Sequence, residues 1–444
     1  MASLLARLRG APRDTRLFLA YMFCSNIAMG TFTLVFNLYL LELDFQEDFI
    51  GLAAALQTGA MAITAFALGG LLGRWGVWHV VTISLVFFVV VSTALALASE
   101  AYLILILIFL WGGVSSFVFS TVMPFVVELS DERGRQKVAS LAVSTSMAAA
   151  TLGSLIGGWM PRLVGTLADV ERASVPAFRG ALFAGIVVAG LGLAPLLAMS
   201  SERRRPMADD DDDDEEPQRP VRPGLPPTPN AVQRQRLMVF VLIGGIMSIG
   251  AGMTQPFFNV YLLSIGAAPS QIGLIFAGAS IFAAFTTLFS PRLVEWFGSE
   301  RAVAFGRVSP VPFFILLMLA PGVGLATLAH LVRTASQGLG WSVESAYMSV
   351  ALRGRARRAV FGYRSGTWNV GFALTSLLGG IIIVRWGYHP TFAVYALSMT
   401  IAMTLFYIYA RYISPVEPGR RQADEPAPEA VAEPVLGPRV SRDD

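Results

Sequence analysis

FNLYLLELDFQEDFIGL, residues Phe36 to Leu52, returns downstream as FNVYLLSIGAAPSQIGL, residues Phe258 to Leu274. Asn37 aligns with Asn259, Tyr39 with Tyr261, and Ile50-Gly51-Leu52 with Ile272-Gly273-Leu274, each pair 222 positions apart. Gly30 and Gly252 keep that spacing, as do Leu71 and Leu293, and Gly76 and Gly298. Far downstream it still relates Ser154-Leu155 to Ser376-Leu377 and Gly157-Gly158 to Gly379-Gly380. A register held without a gap over so long a span means one unit written twice. If the unit crosses a membrane, two copies running in the same sense must each cross it an even number of times.

The composition says that it does. The chain is 55% hydrophobic and 14% charged, with a mean hydropathy of +0.61, whereas a soluble domain is about 25% charged. Lipid is the solvent that accounts for the missing charge. Twelve apolar runs can be read, near 16–41, 50–72, 77–98, 101–127, 138–161, 180–199, 236–264, 271–290, 302–320, 325–350, 359–384 and 391–412. A helix needs about 20 apolar residues to span the hydrocarbon, and barrel strands would be shorter and alternating. The fold class expected is therefore all-α integral membrane: twelve transmembrane helices in two pseudo-symmetric six-helix bundles.

The bundles are expected at 1–199 and 236–413. Between them, 200–235 contains SERRRPMADDDDDDEEPQRPVRPGLPPTPN, acidic, Pro-rich and without an apolar face. It is expected to be a disordered linker, and 414–444 a disordered tail. A metal-buffering role for Asp209 to Glu216 would need a coordination geometry that a flexible run does not fix. One set of loops holds Arg7, Arg9, Arg13, Arg74, Arg133, Arg135, Lys137, Arg203 to Arg205, Arg234, Arg301, Arg353, Arg355, Arg357 and Arg358, the other only Arg162, Arg172, Arg179 and Arg385. The Arg-rich side is expected to be cytoplasmic, with both termini there, in an inner or plasma membrane. The near balance of acids and bases, net +3, gives no basis for a nucleic-acid partner. Cys24 is the only cysteine, so no intrachain disulfide forms. The basic start, MASLLARLRGAPRDTR, precedes no small-residue cleavage site, and the first run reads as a retained helix.

Three strings stand out. GGLLGRWG, Gly69 to Gly76, follows the second run, and PRLVEWFG, Pro291 to Gly298, is its second copy; GSLIGG, Gly153 to Gly158, lies in the fifth run and RTASQGLG, Arg333 to Gly340, in the tenth. With the six-plus-six layout they resemble the major facilitator superfamily of secondary transporters, over about residues 16–412. The first string is similar to that family's Gly-x-Leu-x-Asp-Arg-x-Gly loop signature. Gly69, Arg74 and Gly76 fit it, Gly73 stands where the Asp belongs, and the second copy has Glu295 at the acid position and Gly298 at the last glycine. GSLIGG is similar to the antiporter signature Gly-Pro-x-x-Gly-Gly, with Ser154 for the Pro; Gly153, Gly157 and Gly158 would let a neighbouring helix approach closely. RTASQGLG resembles the Arg-x-x-Gln-Gly-x-Gly signature with one extra residue, in the tenth helix rather than the fourth, where Trp111 holds the aligned place.

Ionisable groups inside apolar runs are costly and mark candidate sites. His330, Arg333, Gln337, Trp341 and Glu344 form one stripe at helical spacing, expected to face a central cavity. Glu344 and Arg364, with Trp368 one turn on, reach similar depth on neighbouring helices and are expected to pair, either as a structural ion pair or in proton coupling with His330. Arg307 is placed near enough to the cytoplasm to snorkel. Arg333, with no partner visible, is expected to contact substrate. Asn26, Thr33 and Asn37 repeat as Ser248, Gln255 and Asn259, and could line a site at the repeat interface or act as packing bonds.

The whole implies a secondary active transporter working by alternating access, for which no metal, cofactor or enzyme activity is expected. The expected partners are a small-molecule substrate, the bilayer and a proton as coupling ion, for a monomer exporting amphiphilic or drug-like compounds. Uptake of a sugar or organic anion is the alternative. A lipid-modifying enzyme would need a clustered catalytic set, and His79, His330 and His389 are far apart. No Gly-x-x-x-x-Gly-Lys loop offers direct ATP drive, and a non-transporting sensor would call for a folded output domain that the sequence does not contain.

Overall fold

In lipid every backbone N–H and C=O must find its partner within the chain, and apolar runs of this length do so as helices. The computed structural model describes residues 12–130, 132–169, 171, 174–200, 231–352 and 354–413. The acidic linker and the tail fall almost wholly outside the described residues. Eleven helices are long and apolar enough to cross a membrane: α1 Arg13–Glu42, α2 Glu47–Leu68, α3 Gly70–Leu97, α4 Ala101–Leu129, α5 Lys137–Leu167, α6 Val175–Leu197, α7 Val232–Ser264, α8 Pro269–Leu288, α9 Ser299–Leu319, α11 Val360–Trp386 and α12 His389–Ile413. The twelfth, α10 Val323–Ala351, has 29 residues and carries the polar stripe. There is no strand among the described residues.

The duplication is visible in the backbone. α1 and α7 end 222 residues apart, α2 and α8 begin 222 apart, and α4 and α10 begin 222 apart. The turns repeat as well. Asp44 (φ 64°) after α1 corresponds to Gly266 (φ 94°) after α7. Gly76 (φ 73°, ψ 160°) corresponds to Gly298 (φ 78°, ψ 157°). These left-handed conformations favour glycine, so the last glycine of each loop string is a turn requirement. Arg74 and Glu295 of the same strings are exposed, and neither makes an ion pair among the described residues.

The halves, α1–α6 and α7–α12, meet along two helix pairs, α2 with α11 and α5 with α8, and where α1 approaches α7. The close contacts lie at the end of the helices away from the termini, here called the far face. A Cβ on Gly158 would stand 2.7 Å from the Gly273 Cα, and one on Gly273 would stand 2.7 Å from the Ser154 carbonyl oxygen. Their repeat mates collide likewise: Gly380 faces the Glu47 carbonyl and Gly51 the Ser376 carbonyl. Toward the termini face α11 loses that cover. Gly362 and Gly366 lie on the Gly380 side of α11, by helical periodicity, yet a Cβ there would meet nothing within 4 Å. A cleft between the halves thus opens on the termini face. Phe66 and Leu288, again 222 apart, are 89% and 76% exposed near that end of α2 and α8.

Candidate functional site

The first-half wall of the cleft is α1. One side of it is held by α4, through Phe32 stacked on Trp111 at 4.1 Å. The next is held by α5, where Thr31 Oγ1 donates to the Gly153 carbonyl at 3.0 Å. Between these flanks Asn26 and Thr33 remain partly or fully exposed. On α7 the equivalent face is turned more to α11. Ser248 is buried, its carbonyl accepting from Thr375 Oγ1 at 3.3 Å, and only Gln255 is exposed.

Asn37 and Asn259 do not line the open cleft; they close its far end. Asn37 Nδ2 donates to the Pro256 carbonyl at 2.6 Å and Asn259 Nδ2 to the Leu34 carbonyl at 2.9 Å. Leu34 and Pro256 are themselves 222 apart, so the two bonds form a reciprocal two-fold bridge between the halves. Local chemistry frees one acceptor. The Val260 N–H, whose helical partner would be the Pro256 carbonyl, donates to Asn259 Oδ1 at 3.0 Å instead. Beside this bridge Tyr388 Oη donates to Glu47 Oε1 at 2.8 Å, again between halves. Burial, and then the Glu47 carboxylate, push the Tyr388 phenol far above its ordinary range, so it stays a neutral donor.

The second-half wall holds a buried charge cluster. Glu344 on α10 is 1% exposed. Arg307 Nη2, on α9, donates to its Oε2 at 2.8 Å, and Arg364 Nη1, on α11, lies 2.5 Å from its Oε1. The Glu344–Arg364 pairing follows the depth argument. Arg307 corrects one expectation: rather than snorkelling, it turns inward and is 6% exposed, because a carboxylate inside a bilayer draws in any guanidinium within reach. Glycines make the room. A Cβ on Gly340 would lie 2.5 Å from Arg307 Nε, and one on Gly244 would lie 2.9 Å from Arg364 Cγ.

Trp341 is 58% exposed, and Arg364 Cζ lies 6.0 Å from the centre of its ring. Gln337 and Trp368 are half-buried. The other end of the stripe corrects a second expectation. Arg333 and His330 are each 4% exposed and do not reach the cleft. His330 lies between Phe258, 4.9 Å away, and Phe276, 4.2 Å away. Arg333 Nη2 is 3.0 Å from His330 Nδ1 and its Cζ sits 4.9 Å over Phe258. The stripe is continuous on α10, but α7 and α8 close over its far half.

The α5 glycines are packing positions. Gly153 faces the Ile27 carbonyl of α1, Gly157 lies against Val35 of α1, and Gly158 meets Gly273 of α8. Among the described residues no group of His, Cys, Asp and Glu could hold a metal ion.

A family description, Major Facilitator Superfamily, matches residues 17–349 and 242–441. The chain belongs to this superfamily. Solved members share its fold. The nucleoside transporter NupG superposes with a TM-score of 0.71 at 13% identity, covering 90% of this chain and 99% of its own. A D-xylose-proton symporter gives 0.66 at 15%, covering 90% and 98%. A bacterial homolog of the human lysosomal transporter Spinster, inward-facing and occupied, gives 0.64 at 12%, covering 89% and 93%. No curated protein matches the sequence. As a superfamily member the protein is a secondary transporter and not an enzyme.

Proposed function

We propose that the protein is a proton-coupled carrier of the inner or plasma membrane that moves small amphiphilic organic solutes by alternating access. The observation that carries this reading is the asymmetry of the cleft: a two-fold seal of Asn37, Asn259 and four glycines at one end, and parted helices at the other. Such a seal is made to open. Each hydrogen bond in it contributes about 0.5–1.5 kcal/mol net, and helices packed through glycine can separate without repacking large side chains. The Arg-rich loops put the termini face in the cytoplasm, which makes this the inward-open state.

Glu344 is the buried carboxylate of the described residues, and we assign the coupling proton to it. Export is the direction we favour, on the GSLIGG string of α5. Uptake of a sugar or organic anion is the second reading, favoured by the polar side chains Asn26, Thr33, Gln255 and Gln337, partly or fully exposed on three helices. Purified protein in liposomes, given a panel of amphiphilic compounds under an imposed pH gradient, tests both. Flux that reverses with the gradient supports a coupled carrier. Flux of the same size in Glu344→Gln removes that residue from coupling. If no compound moves with the gradient, or if compounds emerge chemically altered, the carrier reading is wrong.

A further inference from the structure

We infer that the first half carries a site for one anionic phospholipid of the leaflet at the termini face, with an acyl chain in a groove between α3 and α4 and the phosphate on Arg74. The inference does not depend on what the carrier moves or what drives it. The first ground is the groove itself. The helices that join the halves are α1, α2, α5, α7, α8 and α11, and α3 and α4 stand outside them. One side of α3 is turned inward. There Trp78 Nε1 donates to the Leu196 carbonyl of α6 at 2.9 Å, and Trp111 Nε1 of α4 donates to Ser92 Oγ at 2.9 Å. On another side a cavity of about 140 Å³ opens against α4, with Val80 and Ser84 buried at its floor and Ile83 and Phe87 exposed at its rim. The exposed residues beside it are apolar, as Leu110 is on α4, so the groove faces lipid. Among its lining side chains only Ser84 and the Trp75 indole carry a polar atom. An apolar cavity of about 150 Å³ stays dry and takes up an apolar molecule, and inside a bilayer the apolar molecule at hand is a lipid chain.

The second ground is length. Trp75 lines the groove next to the Gly76 turn, and Phe87 lines it eleven residues beyond that turn. At about 1.5 Å per residue the groove therefore runs about 16 Å inward, which is one leaflet of a hydrocarbon core about 30 Å thick. A chain lying in it has its head group level with Trp75, an exposed ring at the depth that interfacial tryptophans prefer.

The third ground is charge. Arg74 stands at the mouth of the groove, beside Trp75 and one turn from Leu71, both of which line it. It is exposed and makes no ion pair among the described residues, so its guanidinium is available to a phosphate as a charge-assisted donor. The second copy shows what the site would lack. Trp296 takes the place of Arg74, next to Glu295, and Gly306 and Leu339 take the places of Ser84 and Phe117. A Cβ on Gly306 would lie 2.8 Å from Leu339 Cδ2, so Leu339 fills the space at that crossing. The cation and the open floor occur together in the first half and are lost together in the second.

The test is photo-crosslinking of the full-length protein in phosphatidylcholine vesicles. These hold a trace of phosphatidylglycerol with a diazirine midway along one chain, or the same labelled chain on phosphatidylcholine, and the cross-linked peptides are mapped. Label from phosphatidylglycerol is expected over residues 80–87 and 114–117 at about five times the level from phosphatidylcholine. Residues 302–309 and 336–339 of the second half should take the two labels equally. Arg74→Gln should bring the phosphatidylglycerol label down to the phosphatidylcholine level, and Arg74→Lys should keep most of the excess. Ser84→Phe, which fills the floor, should lower both labels several-fold. Equal labelling of the groove by the two lipids in the unaltered protein overturns the inference and needs no variant that folds. So does an excess that survives in Arg74→Gln, or labelling that Ser84→Phe leaves unchanged. An equal excess in the second half would mean a general attraction of anionic lipid to this face, and it too sinks the site.

Discussion

Where the second half buries Arg307, Glu344 and Arg364, the first half, 222 residues earlier, holds Leu85, Val122 and Ala142. The neighbours change with them. Gly340, which clears space for Arg307, corresponds to Val118, and Gly244, which clears space for Arg364, corresponds to Met22. Leu85, Val118 and Met22 are 0%, 5% and 3% exposed, so they fill the room that the arginines occupy in the other copy. His330 and Arg333 likewise stand where the first half has Ile108 and Trp111. The comparison teaches that the fold requires a filled volume at these crossings, not a given chemistry. An apolar pair, or a long cation beside a glycine, packs the same helices. One copy can then serve as an apolar frame while the other carries the charge.

The comparison breaks most readily at Glu344. Glu344→Ala leaves two buried guanidinium groups without their carboxylate and should cost about 3–5 kcal/mol, whereas Val122→Ala at the matching place should cost about 1 kcal/mol. Thermal unfolding in detergent measures both, and equal losses would mean that the two crossings are not different in kind. Next, the second half can be rewritten as the first: Arg307→Leu, Gly340→Val, Glu344→Val, Arg364→Ala and Gly244→Met together. Replacing a buried ion cluster by packed apolar groups is neutral or stabilising by about 1–4 kcal/mol, so this protein should fold at least as well and transport nothing. Retained transport would show the charge to be dispensable.

The seal sharpens the comparison, because there the halves are alike. Gly158→Ala and Gly380→Ala should each destabilise the closed far face by about 1–3 kcal/mol through overpacking. Spin-label distances across that face should lengthen to a similar degree in both; a response in one alone would make the seal asymmetric. The smallest effect is at the Asn bridge. Asn37→Ala should cost about 1 kcal/mol. Asn259→Ala should cost more, since Asn259 Oδ1 also accepts from Val260. Chemical denaturation of the two single variants decides the order.

Parts of this were legible before any helix was placed. Asn37 and Asn259 were candidates from the repeat alone, and Glu344 and Arg364 from depth alone. Their roles were not, since a stripe at helical spacing is the same whether a cavity or a neighbouring helix lies against it. Arg333 and His330 lost the cleft to Phe258 and Phe276, which come from two other helices. Arg307 could be counted by its distance from the membrane edge, but nothing in that count says which way the side chain turns. A sharper signal was present in Gly244 and Gly340: a glycine in one copy aligned with a large side chain in the other points to a long residue nearby.

The sequence by itself determined the number of crossings and their common direction in the two copies, because lipid forces helices and a repeat fixes their register. Only the tertiary structure decided that the far end is closed by reciprocal Asn bonds, that Glu344 has two arginines, and that Trp341 is exposed where Arg333 is enclosed. Those outcomes depend on which helices approach at each depth, and contacts between segments hundreds of residues apart leave no local trace in the chain.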